Sequence, residues 1–361
     1  MNAPVGPKGG NDMLSVPKSS VIAGFDWTAD RVGYPESDIK GDTFPMTWAD
    51  DGEIYAAAGD PLWGETNDGL DVEKFIGGPN DYKISKVNHM NDYRGWGGGG
   101  PKPSGMICVD GILYLAFQNL RGVQKAPHSL VSQHGSDAHI VHAVRDNSGH
   151  GVGAWVPALA NIAAPMFPGS KFGGPAFVNF GRNNADARDG YVYAVSSDQW
   201  DNGSNIRLGQ VPNEQIVRRQ AWEWVCAFTP SSEPAWSHHL DEAIPVLTLH
   251  RWLGLPELVY LAAIRRYLLL TWRLHKDFSG DDGSDLVVLE APEPWGPFSL
   301  VHIEEYWEGK AFTPYCPRVP LKWMDRKGTS GWLQFSGSWS LAGQKAGYYR
   351  SNVRPFRLRL A

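Results

Sequence analysis

One phrase, written three times, limits what this chain can become. In Asp51-Gly52-Glu53-Ile54-Tyr55, Asp110-Gly111-Ile112-Leu113-Tyr114 and Asp189-Gly190-Tyr191-Val192-Tyr193, a tyrosine stands three residues after an Asp-Gly pair. Asp-Gly supplies the positive φ that a tight hairpin turn requires. The flanking runs, such as Met106-Ile107-Cys108-Val109 before a turn and Tyr191-Val192-Tyr193-Ala194-Val195 after one, are apolar, β-branched and aromatic, which predicts strands. Five residues beyond each tyrosine comes a polar residue: Asp60, Asn119 and Asp198. Looser copies occupy Ile264–Arg273 and Gly328–Ser338.

Five copies, spaced by about 60 to 80 residues, describe one supersecondary unit repeated around a ring. Further strand-like runs follow the hairpins: Ala138–Val144, Ile206–Val211, Asp285–Glu290 and Trp295–Val301. Three or four strands per repeat make a propeller blade, and the fold class predicted is all-β, a five-bladed β-propeller. The expected division is a flexible tail over 1–20 and a single propeller domain over 21–361. Val21–Trp27 is expected to close the ring by pairing with the last repeat. Pro61–Gly105, rich in Gly and Asn, reads as a long excursion, and Asn213–Trp224 as a short helix.

Composition narrows the partners. A net charge of −6 argues against nucleic acid and against anionic membranes. No apolar run is long and uninterrupted enough to span a bilayer, because Glu257, Arg265 and Arg266 break up Leu253–Trp272. Met1–Ser20 lacks an apolar signal core, so the chain is expected to be cytoplasmic or a secreted form whose leader is gone. The three cysteines are too few and too scattered for a disulfide framework or a zinc site. No cofactor is expected, and no motif supports a structural cation such as calcium. The 16 tryptophans exceed what a core of this size needs, although packing accounts for most of them.

Propeller topology turns sequence position into spatial position. The start of each inner strand and the end of the strand after it lie on one face. Asp42 and Asp60 from the first repeat, Asn119 from the second and Asp198 from the third therefore converge with Glu257 and Arg318. Carboxylates crowded into a partly dry funnel push one another's pKa values apart, which is how one becomes an acid and another a base. Glu257, among Leu253, Leu255, Leu258 and Val259, is expected to be protonated, whereas Asp42, at a polar strand entrance, is expected to stay ionised. Trp63, Trp200 and Trp252 are candidates to stack on sugar rings at that face, and Lys102, His250 and Tyr315 to line it. His134, His139 and His142 cluster, but strand alternation separates His139 from His142. Asp50, Asp51, Asp110 and Asp189 belong to the opposite, hairpin-turn face and are expected to be structural.

In order, Asp42…Trp48-Ala49-Asp50-Asp51-Gly52…Tyr55…Gly59-Asp60, then Gly173-Gly174-Pro175…Asp189-Gly190-Tyr191-Val192-Tyr193, then Trp295-Gly296-Pro297-Phe298, resemble the five-bladed propeller glycoside hydrolases. The branch that includes endo-D-arabinanases is the nearest in likeness, over nearly the whole chain from about residue 21. The resemblance implies a funnel site with paired acidic residues on a carbohydrate substrate. Asp42 would be base or nucleophile, Glu257 general acid, with Asp60 as a further catalytic carboxylate and Asp198 on substrate hydroxyls. Lys102-Pro103-Ser104-Gly105 stands where better-known members place an aspartate, so no complete acidic triad carries over. A carbohydrate-binding propeller without turnover, or a polysaccharide lyase using Tyr315 or His250 against Arg318, are the alternatives.

Overall fold

The structure is a computed structural model that describes residues 12–33, 40–63, 66–67, 70–90, 93, 100–120, 137–146, 152–275, 282–310, 312–337 and 349–361. Five antiparallel sheets form the five blades of the expected propeller. Blade 1 has its inner strand in two pieces, Lys40–Asp42 and Met46–Trp48, followed by Ile54–Trp63, Leu70–Ile76 and Lys83–His89. Blade 2 runs Lys102–Val109, Ile112–Gln118, Asp137–Arg145 and Val152–Val156. Blade 3 runs Ala176–Phe177, Tyr191–Ser197, Gly203–Pro212, Glu223–Phe228 and Pro234–Ser237. Blade 4 is the most regular: Glu257–Leu261, Arg266–Leu274, Ser284–Ala291 and Ser299–Glu304. Blade 5 runs Pro314–Arg318, Ser330–Gly337 and Asn352–Leu360, and its fourth strand is Ile22–Trp27 from the other end of the chain. That pairing, Phe25 opposite Leu358 and Trp27 opposite Phe356, closes the ring as expected.

Among the described residues the core is five slabs, one in each cleft between neighbouring blades, and a sixth, smaller cluster of Trp200, Leu255, Trp272, Leu274, Tyr315 and Cys316. Val178, Val195 and Leu208 of blade 3 meet Leu258, Leu269 and Val287 of blade 4, and Phe44 and Ala56 of blade 1 meet Val353 of blade 5. Alternation along each strand sends successive side chains into the two flanking clefts, which is why inner and middle strands are apolar on both faces. Aromatic packing absorbs many tryptophans: Trp222 and Trp224 pack with Phe167 and Phe172. At Gly105 a Cβ would sit 2.6 Å from the Pro175 carbonyl, so only glycine lets inner strands 2 and 3 approach this closely. Asn179 ties the inner strands of blades 1 and 2 to blade 3, its amide nitrogen donating to the carbonyls of Met46 (3.3 Å) and Met106 (3.2 Å).

Three expectations change. Residues 1–11 lie outside the described residues, but 12–20 are not a free tail: Met13 is buried in the cleft between blades 3 and 4, and Ser19 bonds Glu290 and the Leu300 carbonyl. The supposed excursion over Pro61–Gly105 contains the two outer strands of blade 1, obscured by their mixed polar composition. Asn213–Trp224 forms two short 3-10 turns in place of a helix, since Trp222 and Ile216 must both turn inward.

Candidate functional site

The turn-to-tyrosine spacing that organises the sequence has a structural cause. The Tyr55 hydroxyl donates to Asp51 (2.9 Å) and that of Tyr193 to Asp189 (2.8 Å). The other carboxylate oxygen accepts the backbone amide two residues on, from Glu53 and Tyr191 (3.0 Å each). All three Asp-Gly pairs lie on one face, but only two make the expected tight turn. Gly52 and Gly111 sit at φ 87° and 76°, whereas Gly190 has no positive φ and ends a longer connection from Phe177 that includes the Arg182–Asn184 3-10 turn. The strand ends on the other face gather the polar side chains.

There, Asp42 is 6% exposed and Asp60 3%. Both belong to paired strands of blade 1, with Asp42 opposite Gly59. A Cβ at Gly59 would fall 2.5 Å from Asp42 Oδ1, so glycine makes the room this carboxylate needs. The strand carrying it breaks immediately afterwards, with Thr43 and Phe44 at φ 61° and 37°, and Asp60 itself sits at φ 46°. Such conformations cost of order 1–3 kcal/mol each and persist where surroundings enforce them. The Tyr315 hydroxyl donates to Asp42 Oδ2 (2.9 Å), and Lys102 Nζ lies 3.0 Å from Asp60 Oδ1. Burial first, and then the Asp60 charge, push the Asp42 carboxyl from 3.8 up to about 8, against the opposing pull of Tyr315, Lys102 and Tyr349. Asp42 therefore holds its proton at neutral pH, contrary to the expectation that it stays ionised. The strand entrance that looked polar in sequence is closed over by Tyr315 and Tyr349, whose own hydroxyls burial raises well above their usual values.

A second buried group adjoins the first. Arg318 Nη1 donates to Glu257 Oε2 (3.0 Å) and to the Pro256 carbonyl (3.0 Å), while its Nε donates to the Thr43 carbonyl (3.1 Å). The Val319 amide approaches Glu257 Oε1 (3.3 Å). Burial raises the Glu257 carboxyl, with Arg318 pulling against it. A fully buried guanidinium must keep a counter-charge, so the pair is read as ionic. One guanidinium thus ties the blade 4 carboxylate to the residue after Asp42.

Of the other sequence candidates, Trp200 packs against this centre and the rest serve other partners or lie apart. Asp198 is claimed by its own turn: Oδ1 accepts the amides of Ser204 (2.9 Å) and Asn205 (3.2 Å), and Oδ2 the Asn205 side chain (2.8 Å). Trp200 is not a platform but a buried wall, edge-on to Trp272 (5.0 Å) and tilted against Tyr315 (5.6 Å). Trp252 lies beneath the Arg273 guanidinium, 3.4 Å from its ring centre. His250 is exposed on Leu247–Leu253, a strand added to blade 3, and faces Ser204. Asn119 is buried at φ 58° where the second strand of blade 2 ends. Trp63 ends its strand, and its side chain, like all of His134, lies outside the described residues. His139 accepts the Met166 amide (3.0 Å) and is a structural base, lowered by burial to about 4. Tyr349 belongs to no spaced pattern, and Trp272, inside the looser copy Ile264–Arg273, stands one residue before the polar position of that pattern, so neither was singled out. Among the described residues, no three His, Cys, Asp or Glu side chains are arranged to hold a metal ion.

No family model matches this sequence. No curated protein matches it in sequence either. Similarity appears in the fold. An α-L-arabinofuranosidase from Podospora anserina, solved with cellotriose, superposes with a TM-score of 0.51 at 13% identity, covering 94% of this chain and 99% of that one. A GH43_1 enzyme from Xanthomonas citri, complexed with xylotriose, gives 0.50 at 15% identity over 92% and 93% of the two chains. A xylan β-1,4-xylosidase from Bacillus halodurans gives 0.50 at 12% identity, over 91% of this chain and 54% of that one. Five-bladed propeller glycoside hydrolases are thus structural neighbours, and identities this low speak for the fold alone.

Proposed function

We propose that this chain is a glycoside hydrolase that cleaves a pentose-containing polysaccharide, such as an arabinan or a decorated xylan, at the mouth of the propeller. The observation that carries the proposal is the pairing of two differently held buried carboxyls, Asp42 facing Asp60 and Glu257 bound to Arg318, on one polar face. The neighbours that act on arabinose- or xylose-based glycans add support for the substrate class, and the arabinan-like motif order adds a furanose preference.

Environment assigns the roles, and reverses those the resemblance implied. Asp42 faces a like charge and keeps a proton, so it is the general acid that protonates the glycosidic oxygen as the C–O bond breaks. Glu257 keeps its charge against Arg318 and is the general base: it takes one proton from a water whose oxygen bonds to the anomeric carbon. The outgoing sugar carries away the Asp42 proton, and the two carboxyls then exchange protons with solvent to reset. The Arg318 guanidinium stands between Glu257 and the strand bearing Asp42, which favours the wider separation of an inverting enzyme. Lys102 pairs with Asp60, and Asp60 adds to burial in keeping the proton on Asp42. A lyase reading is disfavoured because the raised Tyr315 hydroxyl, already donating to Asp42, is a poor base.

The test uses aryl arabinosides and xylosides whose leaving groups differ in basicity. Asp42→Asn should lose most rate on poor leaving groups and little on good ones, which need no proton. Equal losses on both, or no turnover by the wild type on any pentoside or pentose polymer, would remove the proposal.

A further inference from the structure

A cavity of about 630 Å³ opens on the hairpin-turn face, where the first and last blades meet. Its apolar wall is made by Trp332, Met324, Phe356 and Pro79, and Thr28 and Ser330 bring hydroxyls to its edge. Trp332 is partly exposed on the second strand of blade 5, opposite Pro355, so one indole surface faces outward beside the hydroxyls. The neighbouring Trp323 is buried and braced by Tyr82, 5.1 Å between ring centres, and its indole nitrogen reaches the Gly77 carbonyl (3.4 Å), which fixes the wall in place. At Gly331 a Cβ would collide with Met324 Sδ, so the absence of a side chain there seats Met324 against the strand.

The charges around the opening cancel. Lys322 is paired with Glu53, and exposed Arg357 and Asp325 oppose one another in sign. Asp325 uses Oδ1 on the amides of Thr329 (2.9 Å) and Ser330 (3.2 Å), which anchors the loop and points the carboxylate at the groove's edge. An aromatic face, hydroxyls and one acceptor carboxylate with no net charge suit a neutral polyol ring: its C–H face stacks and its hydroxyls bond the rim. The volume falls in the range of small-ligand sites, about 300–1,000 Å³.

From this we infer a second, non-catalytic saccharide-binding site at the seam of blades 1 and 5, built around Trp332. It takes a short neutral pentose oligosaccharide or one stretch of a polymer. Inner strand Lys102–Val109 runs from mouth to turn face, a span of about 25 Å at roughly 3.3 Å per residue. A trisaccharide at the mouth therefore cannot also fill the groove, whereas a polymer can touch both. The inference rests on the proposed glycan substrate.

The experiment keeps the two apart. Asp42→Asn, expected to turn a natural trisaccharide over too slowly to disturb a titration, is titrated calorimetrically with arabinotriose and xylotriose, alone and combined with Trp332→Ala. Two binding equivalents should appear in Asp42→Asn, and the added Trp332→Ala should weaken one of them about tenfold or more. Trp332→Phe should retain that second equivalent, which controls for folding. In the otherwise wild-type chain, Trp332→Ala should leave hydrolysis of a small aryl pentoside unchanged and slow hydrolysis of insoluble polymer several-fold. A single equivalent, unchanged by Trp332→Ala, overturns the second site alone. No binding of either trisaccharide to Asp42→Asn overturns the glycan reading, and the groove falls with it.

Discussion

The same hairpins carry carboxylates at both ends, and the two ends treat them oppositely. At the turn end, burial alone would raise Asp51, but Lys74, the Glu53 amide and the Tyr55 hydroxyl hold it below its ordinary value. At the mouth, burial and Asp60 lift Asp42 to about 8, and burial lifts Glu257 as well. A tyrosine hydroxyl touches the carboxylate in both places. What differs is solvent and sign: the turn end is half open with a lysine beside it, whereas the mouth is closed with another carboxylate beside it. Residue type does not distinguish a structural aspartate from a reactive one; the dielectric and the nearest charge do.

The largest expected effect breaks the comparison outright. On a natural pentose polymer, Asp42→Asn should cost about 10²–10⁴ in kcat, the usual worth of a general acid, while Asp189→Asn should leave kcat within a factor of about two. Equal losses, measured by reducing-sugar release, would erase the distinction between the ends.

The second sharpens it through stability. Glu257→Gln leaves Arg318, whose side chain is 0% exposed, without its counter-charge. Losing one partner of a buried pair should cost about 3–5 kcal/mol, far above the cost of Glu293→Gln, which breaks the exposed pair with Arg188 and is worth about 0–1 kcal/mol. Denaturant unfolding of the two variants settles it.

The third uses pH. A carboxyl whose folded value is raised binds its proton more tightly in the folded state. Its stabilising contribution is whole below about 3.8 and disappears as pH climbs to about 8. Asp51, lowered on folding, contributes in the opposite sense: its stabilisation is present above its ordinary value and is lost on acidification. Wild-type stability should therefore decline between pH 4 and pH 8 with a slope that Asp42→Asn flattens. An unchanged slope in that variant would mean the mouth is wetter than it looks.

The smallest effect concerns the clamp. Tyr193→Phe removes one hydrogen bond to Asp189 and should cost about 1 kcal/mol, with kcat unaltered.

The ring was legible because its signal is local and repeated: an Asp-Gly turn and a clamping tyrosine are chosen within five residues of each other. Ring closure by Val21–Trp27 followed from having one strand to spare. The site was legible only in part. Asp42, Asp60, Lys102, Glu257, Arg318 and Tyr315 all fall in the buried centre, because strand ends can be assigned to a face by counting. Their protonation was not readable, since it depends first on how deeply Asp42 is buried, which Tyr315 and Tyr349 from the far end of the chain help decide, and only then on the neighbouring Asp60. Asp198 and Trp200 misled for the converse reason. A polar or aromatic residue at a strand end can serve its own turn or wall, as Asp198 does with Ser204 and Asn205, and sequence position does not tell which.

Ring closure also has a timetable. Ile22–Trp27, with Ile22 and Phe25 buried in the finished molecule, leaves the ribosome before any of the five inner strands, yet its partner ends at Leu360. At about 5–20 residues per second, the interval between them is roughly 20 to 70 seconds. Through that time an apolar strand bearing Trp27 waits with an open edge, and open edges recruit whatever strand comes near. A nascent chain with four blades formed is thus the species most exposed to mispairing between neighbouring chains on one messenger. Slow translation of the last blade should lower the yield of soluble protein more than an equal delay in blade 2 or 3.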